Sequence, residues 1–291
     1  MTYRSWQPEH RRRRPRLTRL GRFALLLGAG IAVAAAITIP LILLFGEDER
    51  APVPVPEKKR TLLIPEGWRA GQVYAAVDRS LGLAEGTTRS IADAPATALG
   101  LPAAAQGNPE GYLFPATYPV AAATTPESLL TYMVRTAGKR FGADHITAGA
   151  QRNGVSVHQT VIIASIVQAE ADTDEDMGKV ARVVYNRLAK GMALQMDSTL
   201  NYAMGRSTVD TTHADTTIDS LYNTYERPGL PPTPIGNPGE QAMSASIEPA
   251  AGDWLYFVTV KPGDTRFTAD YAEHQANVEE FNAHRRAAKQ S

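Results

Sequence analysis

One stretch of the chain is apolar without interruption, whereas the rest mixes apolar and polar positions. Residues 23–45, FALLLGAGIAVAAAITIPLILLF, carry no charge. As a helix that rises 1.5 Å per residue, this stretch would span roughly 34 Å. Such a length crosses the hydrocarbon core of a bilayer. The pattern therefore predicts a single transmembrane helix over residues 23–45.

The charges on either side of this helix predict its orientation. Residues 1–22 carry eight arginines and one acid, and the acidic run GEDER follows the helix. Because basic residues stay on the cytoplasmic side, we expect a cytoplasmic tail over residues 1–22, with everything after the helix outside the cell membrane. A cleaved signal peptide is the alternative, with a cleavage site near Ala36. The apolar sequence continues to Phe45, which favours the uncleaved anchor.

The chain beyond the membrane divides into a spacer and a small unit. Residues 46–59, GEDERAPVPVPEKK, form a charged, proline-rich spacer that we expect to be extended. In residues 60–106, the run RTLLIPEG is typical of a strand that ends in a turn. The following apolar positions have helical spacing, and Gly82 closes that helix. This part is predicted to be a small α/β module.

Residues 107–291 are predicted to form a larger α+β domain. A proline- and glycine-rich loop over 226–239 interrupts its helices, and a hairpin over 254–268 follows. The order of elements, with many helices and few strands, makes the whole exported part α+β in class. The predicted helices of this domain cover residues 126–141, 157–171, 177–190, 240–247 and 271–287.

Composition narrows the function. With 30 basic and 30 acidic residues the chain has no net charge, which argues against a nucleic-acid binder. There is no cysteine, so disulfides and thiolate chemistry are excluded. No HExxH, GxSxG, Walker or GxGxxG motif is present, and the six histidines lack metal-ligand spacing. We therefore expect neither a metal nor an organic cofactor.

The most informative segment is TVIIASIVQAEAD, residues 160–172. On a helix, Ile163, Ile166 and Val167 lie on one apolar face, and Glu170 continues that face at the C-terminal end. Apolar surroundings and the negative end of the helix dipole both raise the pKa of a carboxyl group. A general acid near neutral pH requires such a pKa. The alternative is a terminal glutamate that simply reaches water.

Several segments in order resemble the endolytic murein transglycosylases, a family of membrane-anchored, peptidoglycan-cleaving lyases also called YceG-like. The family helix motif commonly carries two acids; here the first position is Gln168, and the family's catalytic glutamate matches Glu170. The part over residues 60–106 resembles a glycan-binding LysM module only in RTLLIPEGWRAGQVYAAV. The segments of the larger domain are EGYLFPATY (110–118), IIASIVQAEA (162–171), VVYNRLAKGMALQMDSTLNYAMG (183–205), YNTYERPGLPPTPIGNPG (222–239) and YFVTV…FT…EHQANV (256–278).

The resemblance implies cleavage between N-acetylmuramic acid and N-acetylglucosamine in peptidoglycan glycan strands, leaving 1,6-anhydro ends. Glu170 would protonate the glycosidic oxygen and later accept the proton of the C6 hydroxyl, so one carboxyl group serves twice. The resemblance further implies work alongside peptidoglycan synthases, where the enzyme terminates nascent strands.

Seven further residues are predicted to contact the substrate. Four of these predictions have a plain structural alternative: Asp197 as a helix N-cap, Tyr112 as a core aromatic residue, Glu110 as a structural acid, and His274 as a surface or helix-cap residue. The seven residues are Gln195, Asp197, Asn223, Tyr225, Tyr112, Glu110 and His274.

Two other functions remain open. A hydrolytic muramidase would use water and a second carboxylate, with Asp197 or Asp172 as the choice. A non-catalytic, glycan-binding scaffold of the cell envelope would need no acid at Glu170.

Overall fold

The computed structural model describes residues 60–94, 98–207 and 211–288. The predicted cytoplasmic tail, the transmembrane helix over 23–45 and the spacer over 46–59 lie outside the described residues. Within the described part, no helix has the length and apolar character needed to cross a membrane.

The described residues form an α+β structure, as predicted, with nine α-helices and four short strands. Two single-turn 3₁₀ helices, Ala103–Ala105 and Asp215–Thr217, lie in the connections. In chain order the elements are β1 (Arg60–Leu63), α1 (Ala70–Leu81), α2 (Thr87–Ala92), β2 (Thr117–Val120), α3 (Pro126–Phe141), α4 (Asp144–Arg152), α5 (Val157–Glu170), α6 (Asp174–Ala189), α7 (Asp197–Ala203), α8 (Glu240–Ile247), β3 (Tyr256–Lys261), β4 (Asp264–Thr268) and α9 (Tyr271–Ala288).

Local signals explain where the helices begin and end. The N-cap of α5 is Ser156, whose hydroxyl accepts the Gln159 N–H while the Gln159 side chain accepts the Ser156 N–H. This reciprocal capping box satisfies two backbone donors that the helix leaves unpaired. Thr173 caps α6 through its hydroxyl, and Gly82 ends α1 in the left-handed conformation that glycine adopts without strain.

The strands form two separate antiparallel pairs. β3 and β4 make the predicted hairpin, with Tyr256 opposite Thr268. β1 pairs with β2, with Arg60 opposite Val120, so residues before and after the predicted boundary at 106 share a sheet. The described residues all belong to one compact unit, Lys59–Ser291. The LysM-like character of residues 60–106 stays a prediction.

Helix α5 lies at the centre of the hydrophobic core. Each of the seven residues Val161–Val167 is buried, so the helix is covered on all sides. Helices α4, α6, α7 and α8 pack against it. A helix apolar all round belongs inside a domain. Because its neighbours fix it from every side, the residue at its C-terminal end is held in a defined position.

Candidate active site

Glu170 is the last residue of α5 and lies half-buried beside the start of α7. Its Oε1 atom accepts the Ser198 N–H at 3.3 Å. Burial raises the pKa of the Glu170 carboxyl above its usual range, and the negative charge of Asp197 raises it further; hydrogen bonding to Ser198 opposes both. The carboxyl group is therefore set to hold a proton at a higher pH than an exposed glutamate does.

Asp197 is the first residue of α7, next to Ser198. Its Oδ1 atom accepts a hydrogen bond from the Tyr225 hydroxyl at 2.5 Å. The N-cap of α7 is Met196, and no side chain caps the helix, so the alternative of Asp197 as an N-cap is wrong. Burial raises the pKa of Tyr225, and the nearby Asp197 and Glu170 raise it further, so the phenol stays protonated as a donor.

Two backbone segments far apart in sequence meet at this point. The Gln195 N–H donates to the Thr224 carbonyl at 2.9 Å, and the Met196 N–H donates to the Thr224 hydroxyl at 3.0 Å. These two hydrogen bonds join the LQMDST segment to the YNTY segment. As a consequence, Asp197 and Tyr225 face each other at the end of α5.

Asn223 is fully buried and organises the loop that carries Tyr225. Its Nδ2 atom donates to the carbonyls of Thr216 and Ile218 at 3.0 and 2.9 Å, and its Oδ1 atom accepts the Tyr225 N–H at 3.0 Å. The amide is thus occupied by backbone partners. The structure places Asn223 behind Tyr225, where it positions that residue.

Gln195 lies two residues before Asp197 and is exposed to solvent. Its backbone has a positive φ of 51°, which is uncommon for a residue with a side chain. Its Oε1 atom accepts a hydrogen bond from Arg187 Nη1 at 3.3 Å. The guanidinium also donates to the carbonyls of Leu194 and Leu255, each at 2.6 Å.

Arg187 was not among the predicted site residues. Its side chain is buried, and among the described residues no carboxylate forms a salt bridge with it. The sequence did hold a signal: Val180, Val183, Val184 and Arg187 stand at i, i+3, i+4 and i+7, so the arginine continues an apolar helical face as Glu170 does.

His274 of α9 lies against the ring of Tyr256, with centroids 5.1 Å apart. Burial lowers the pKa of His274, and the charge of Arg187 lowers it further. Tyr256 in turn lies 5.3 Å from the Arg187 guanidinium. His274 is thereby connected to Gln195 through Tyr256 and Arg187.

Glu110 and Tyr112 lie elsewhere. Glu110 accepts the Ala70 N–H at 2.9 Å and the Tyr202 hydroxyl at 3.1 Å, and burial raises its pKa to about 7. The Tyr112 hydroxyl bonds to His158 Nδ1 at 2.7 Å, in the first turn of α5. At 1.5 Å per residue, that turn is roughly 18 Å from Glu170. Substrate contact by these two residues stays a prediction that their positions do not support.

Two features of the described residues bear on other chemistry. No group of three or more His, Asp or Glu side chains among them is placed to hold a metal ion. An open groove of about 1460 Å³ lies over α3 and α8, lined among others by Phe114, Arg135 and Met243. None of the residues around Glu170 lines this groove, so its volume does not mark the active site.

The end of α5 thus brings a carboxyl group with a raised pKa next to Asp197 and Tyr225, an arrangement that suits general acid–base chemistry. A family model described as YceG-like matches residues 48–280, and the chain belongs to the YceG-like family.

Similar proteins come from several bacteria. The endolytic murein transglycosylase of Bacillus subtilis (strain 168) is 38% identical over 59% of this chain and 48% of its own length. That of Streptococcus pneumoniae serotype 2 (strain D39 / NCTC 7466) is 33% identical over 76% of this chain and 44% of its own. The chain therefore spans about half the length of these relatives. A crystal structure of a yceG-like protein from Listeria monocytogenes superposes with a TM-score of 0.67 and 31% identity, covering 74% of this chain and 75% of that one.

Proposed function

We propose that this protein is a lytic transglycosylase that cuts peptidoglycan glycan strands internally, between N-acetylmuramic acid and N-acetylglucosamine. The observation that carries the proposal is Glu170: a carboxyl group with a raised pKa, half-buried, at the end of a helix packed on all sides. The names of the relatives, endolytic murein transglycosylase, support the same reaction.

The chemistry needs one carboxyl group. Protonated Glu170 donates its proton to the glycosidic oxygen, and the bond from that oxygen to C1 of the muramic acid breaks. The C6 hydroxyl of the same sugar attacks C1 and closes a 1,6-anhydro ring. Its proton passes to the Glu170 carboxylate, which restores the acid. No water is consumed, and the products together have the composition of the substrate.

The neighbours of Glu170 have distinct parts in this proposal. Tyr225 holds the Asp197 carboxylate in place through its hydroxyl. Burial keeps the pKa of Glu170 high, and the negative charge of Asp197 adds to this effect. Positive charge that develops on C1 in the transition state is stabilised by the same carboxylate. Gln195, at the exposed edge, is available to bind the polar groups of the sugar.

The location of the enzyme is part of the proposal. The apolar segment 23–45 and the arginines before it support a single-pass anchor in the cell membrane, with a cytoplasmic N-terminus. A short spacer then joins the helix to the exported catalytic part. An enzyme held in this way reaches glycan as it emerges from the membrane. We expect it to terminate nascent strands beside peptidoglycan synthases.

Mass spectrometry of products from purified peptidoglycan tests the reaction. Strands that end in 1,6-anhydro-muramic acid are expected with the intact chain, and none with Glu170→Gln. Strands that end in a reducing muramic acid would instead show that the enzyme is a hydrolase. If the intact chain cleaves nothing, a glycan-binding scaffold is the function that remains.

Hydrolysis is the second candidate because a second carboxylate is present. Asp197 directly precedes the residue whose N–H binds Glu170, whereas Asp172 is exposed. A muramidase would use Asp197 to activate water. Cleavage in water enriched in the heavy oxygen isotope separates the two, since only hydrolysis places that oxygen in a product.

A further inference from the structure

Three aromatic side chains form a cluster beside Arg187, and they take no part in the chemistry proposed for Glu170. Tyr256 comes from β3, and Tyr271 and His274 come from α9. The ring centroids of Tyr256 and Tyr271 are 5.4 Å apart, and those of Tyr256 and His274 are 5.1 Å apart. Tyr271 is 57% exposed, and Tyr256 and His274 are half-buried, so the solvent-accessible part of this aromatic row is mainly the Tyr271 ring.

The aromatic row is fixed to the cleft by Arg187. The guanidinium lies 5.3 Å from the centre of the Tyr256 ring and donates to the Leu255 carbonyl at 2.6 Å. The same guanidinium binds Gln195, which is exposed. Arg187 therefore links the aromatic row to Gln195, which lies two residues before Asp197 in the segment beside Glu170. A rigid, pre-positioned wall lowers the entropic cost of holding a ligand.

The chemistry of the row suits a neutral ligand with one apolar face. Burial and the charge of Arg187 both lower the pKa of His274, so its ring is uncharged at neutral pH. Tyrosine and histidine combine an apolar ring face with a polar edge. A pyranose ring matches this pattern, because its axial C–H bonds form an apolar face and its hydroxyl groups lie around the rim.

We propose that Tyr256, Tyr271 and His274 form a saccharide subsite, which holds a pyranose ring of the glycan strand further along from the bond at Glu170. The identity of that glycan rests on the proposed function. Two separated contacts along one strand favour long chains over short ones. The subsite would therefore direct the enzyme to bonds inside a strand that has already grown past the aromatic row.

Binding by the full chain carrying Glu170→Gln tests the subsite without cleavage. Peptide-free glycan oligosaccharides of increasing length are titrated calorimetrically, with and without Tyr271→Ala. An aromatic contact of this kind changes affinity by about 3- to 10-fold. We expect that loss for long oligosaccharides and no change for the shortest one that binds. Tyr271→Phe keeps the ring and is expected to keep the affinity.

Tyr132→Ala is the matched control. Tyr132 lies on α3, outside the group of residues around Glu170 and outside the aromatic row. It is 49% exposed, and its ring makes an edge contact with Tyr118 at 5.2 Å. Its replacement is expected to leave binding unchanged. Equal affinities of Tyr271→Ala and its parent at every length would overturn the subsite, as would a loss that is the same at every length or that Tyr132→Ala reproduces.

The same experiment keeps this proposal separate from the proposed function. If Tyr271 contributes to binding in a length-dependent way but the intact protein cleaves nothing, the subsite is supported and the proposed enzymatic function is refuted. Cleavage by the intact form, with no effect of Tyr271→Ala on binding, would retain the enzyme and refute the subsite.

Discussion

Two glutamates of this protein have raised pKa values for the same reason, but they differ in exposure and in how many of their oxygens are hydrogen-bonded. Burial raises the pKa of both Glu170 and Glu110. Glu110 is 4% exposed, and its two oxygens accept hydrogen bonds from Ala70 and Tyr202, in two different helices. Glu170 is half-buried, and one of its oxygens accepts the N–H of Ser198.

The difference shows that a raised pKa does not by itself identify a catalytic acid. A carboxyl group whose oxygens are both engaged by the protein ties elements together but cannot approach a substrate. Glu110 joins the start of α1 to α7, as a buried polar group with its hydrogen bonds made. Glu170 combines the same shift with access, which is the condition for proton transfer to a ligand.

Replacement of the acid gives the largest expected effect. Glu170→Gln keeps the size of the side chain and removes the proton. General acid–base catalysis contributes roughly 10²- to 10⁴-fold, so we expect a loss of that order in the release of soluble fragments from purified glycan. Glu110→Gln is the matched control and should cleave at nearly the rate of the unaltered protein. Comparable losses in both variants would remove the distinction between the two glutamates.

Glu110 is expected to control stability instead. Its pKa rises from 4.5 to about 7 on folding, so the folded state binds the extra proton between these values. The free energy of unfolding should therefore fall as the pH rises from about 4.5 to about 7, by on the order of 3 kcal/mol. Glu110→Gln should flatten this dependence. Denaturant titrations across that pH range measure it, and an unchanged slope would contradict the assignment.

A smaller effect is expected at the hydroxyl that holds Asp197. Tyr225→Phe removes a hydrogen bond to a charged group, and a loss of roughly 10-fold in kcat/KM follows from its usual strength. Tyr222→Phe is the control, because it removes a similar hydrogen bond, to Thr233 at 2.8 Å, away from Glu170. Equal rates for the two variants would mean that Asp197 needs no partner.

The sequence predicted the elements whose signals are local. Helix α3, from Pro126 to Phe141, and helix α8, from Glu240 to Ile247, have the predicted bounds. Strand β2 was missed because its four residues, TYPV, pair with β1 more than 50 residues earlier, and pairing at that distance leaves no local pattern. Helix α4 was missed because its segment, DHITAGAQR, includes Gly149 and only a short apolar face.

Prediction of the site from the sequence has the same limit, because local patterns do not report contacts between distant segments. The position of Glu170 at the end of a buried helix followed from the apolar spacing of its neighbours. The meeting of Asp197 with Tyr225 depends on the hydrogen bond from Gln195 to Thr224, which joins segments distant along the chain. No periodicity reports such a contact. For the same reason, the engagement of both Glu110 oxygens became visible only in the structure.

The pH dependence of kcat/KM, measured for the unaltered protein and for Glu110→Gln, tests the central claim most directly. Both glutamates have raised pKa values, so a fall in activity above the usual carboxyl range does not by itself name the acid. If Glu170 is the acid, both proteins lose activity over the same pH interval, above the usual range of a glutamate carboxyl group. A fall that moves or vanishes in Glu110→Gln would contradict the account.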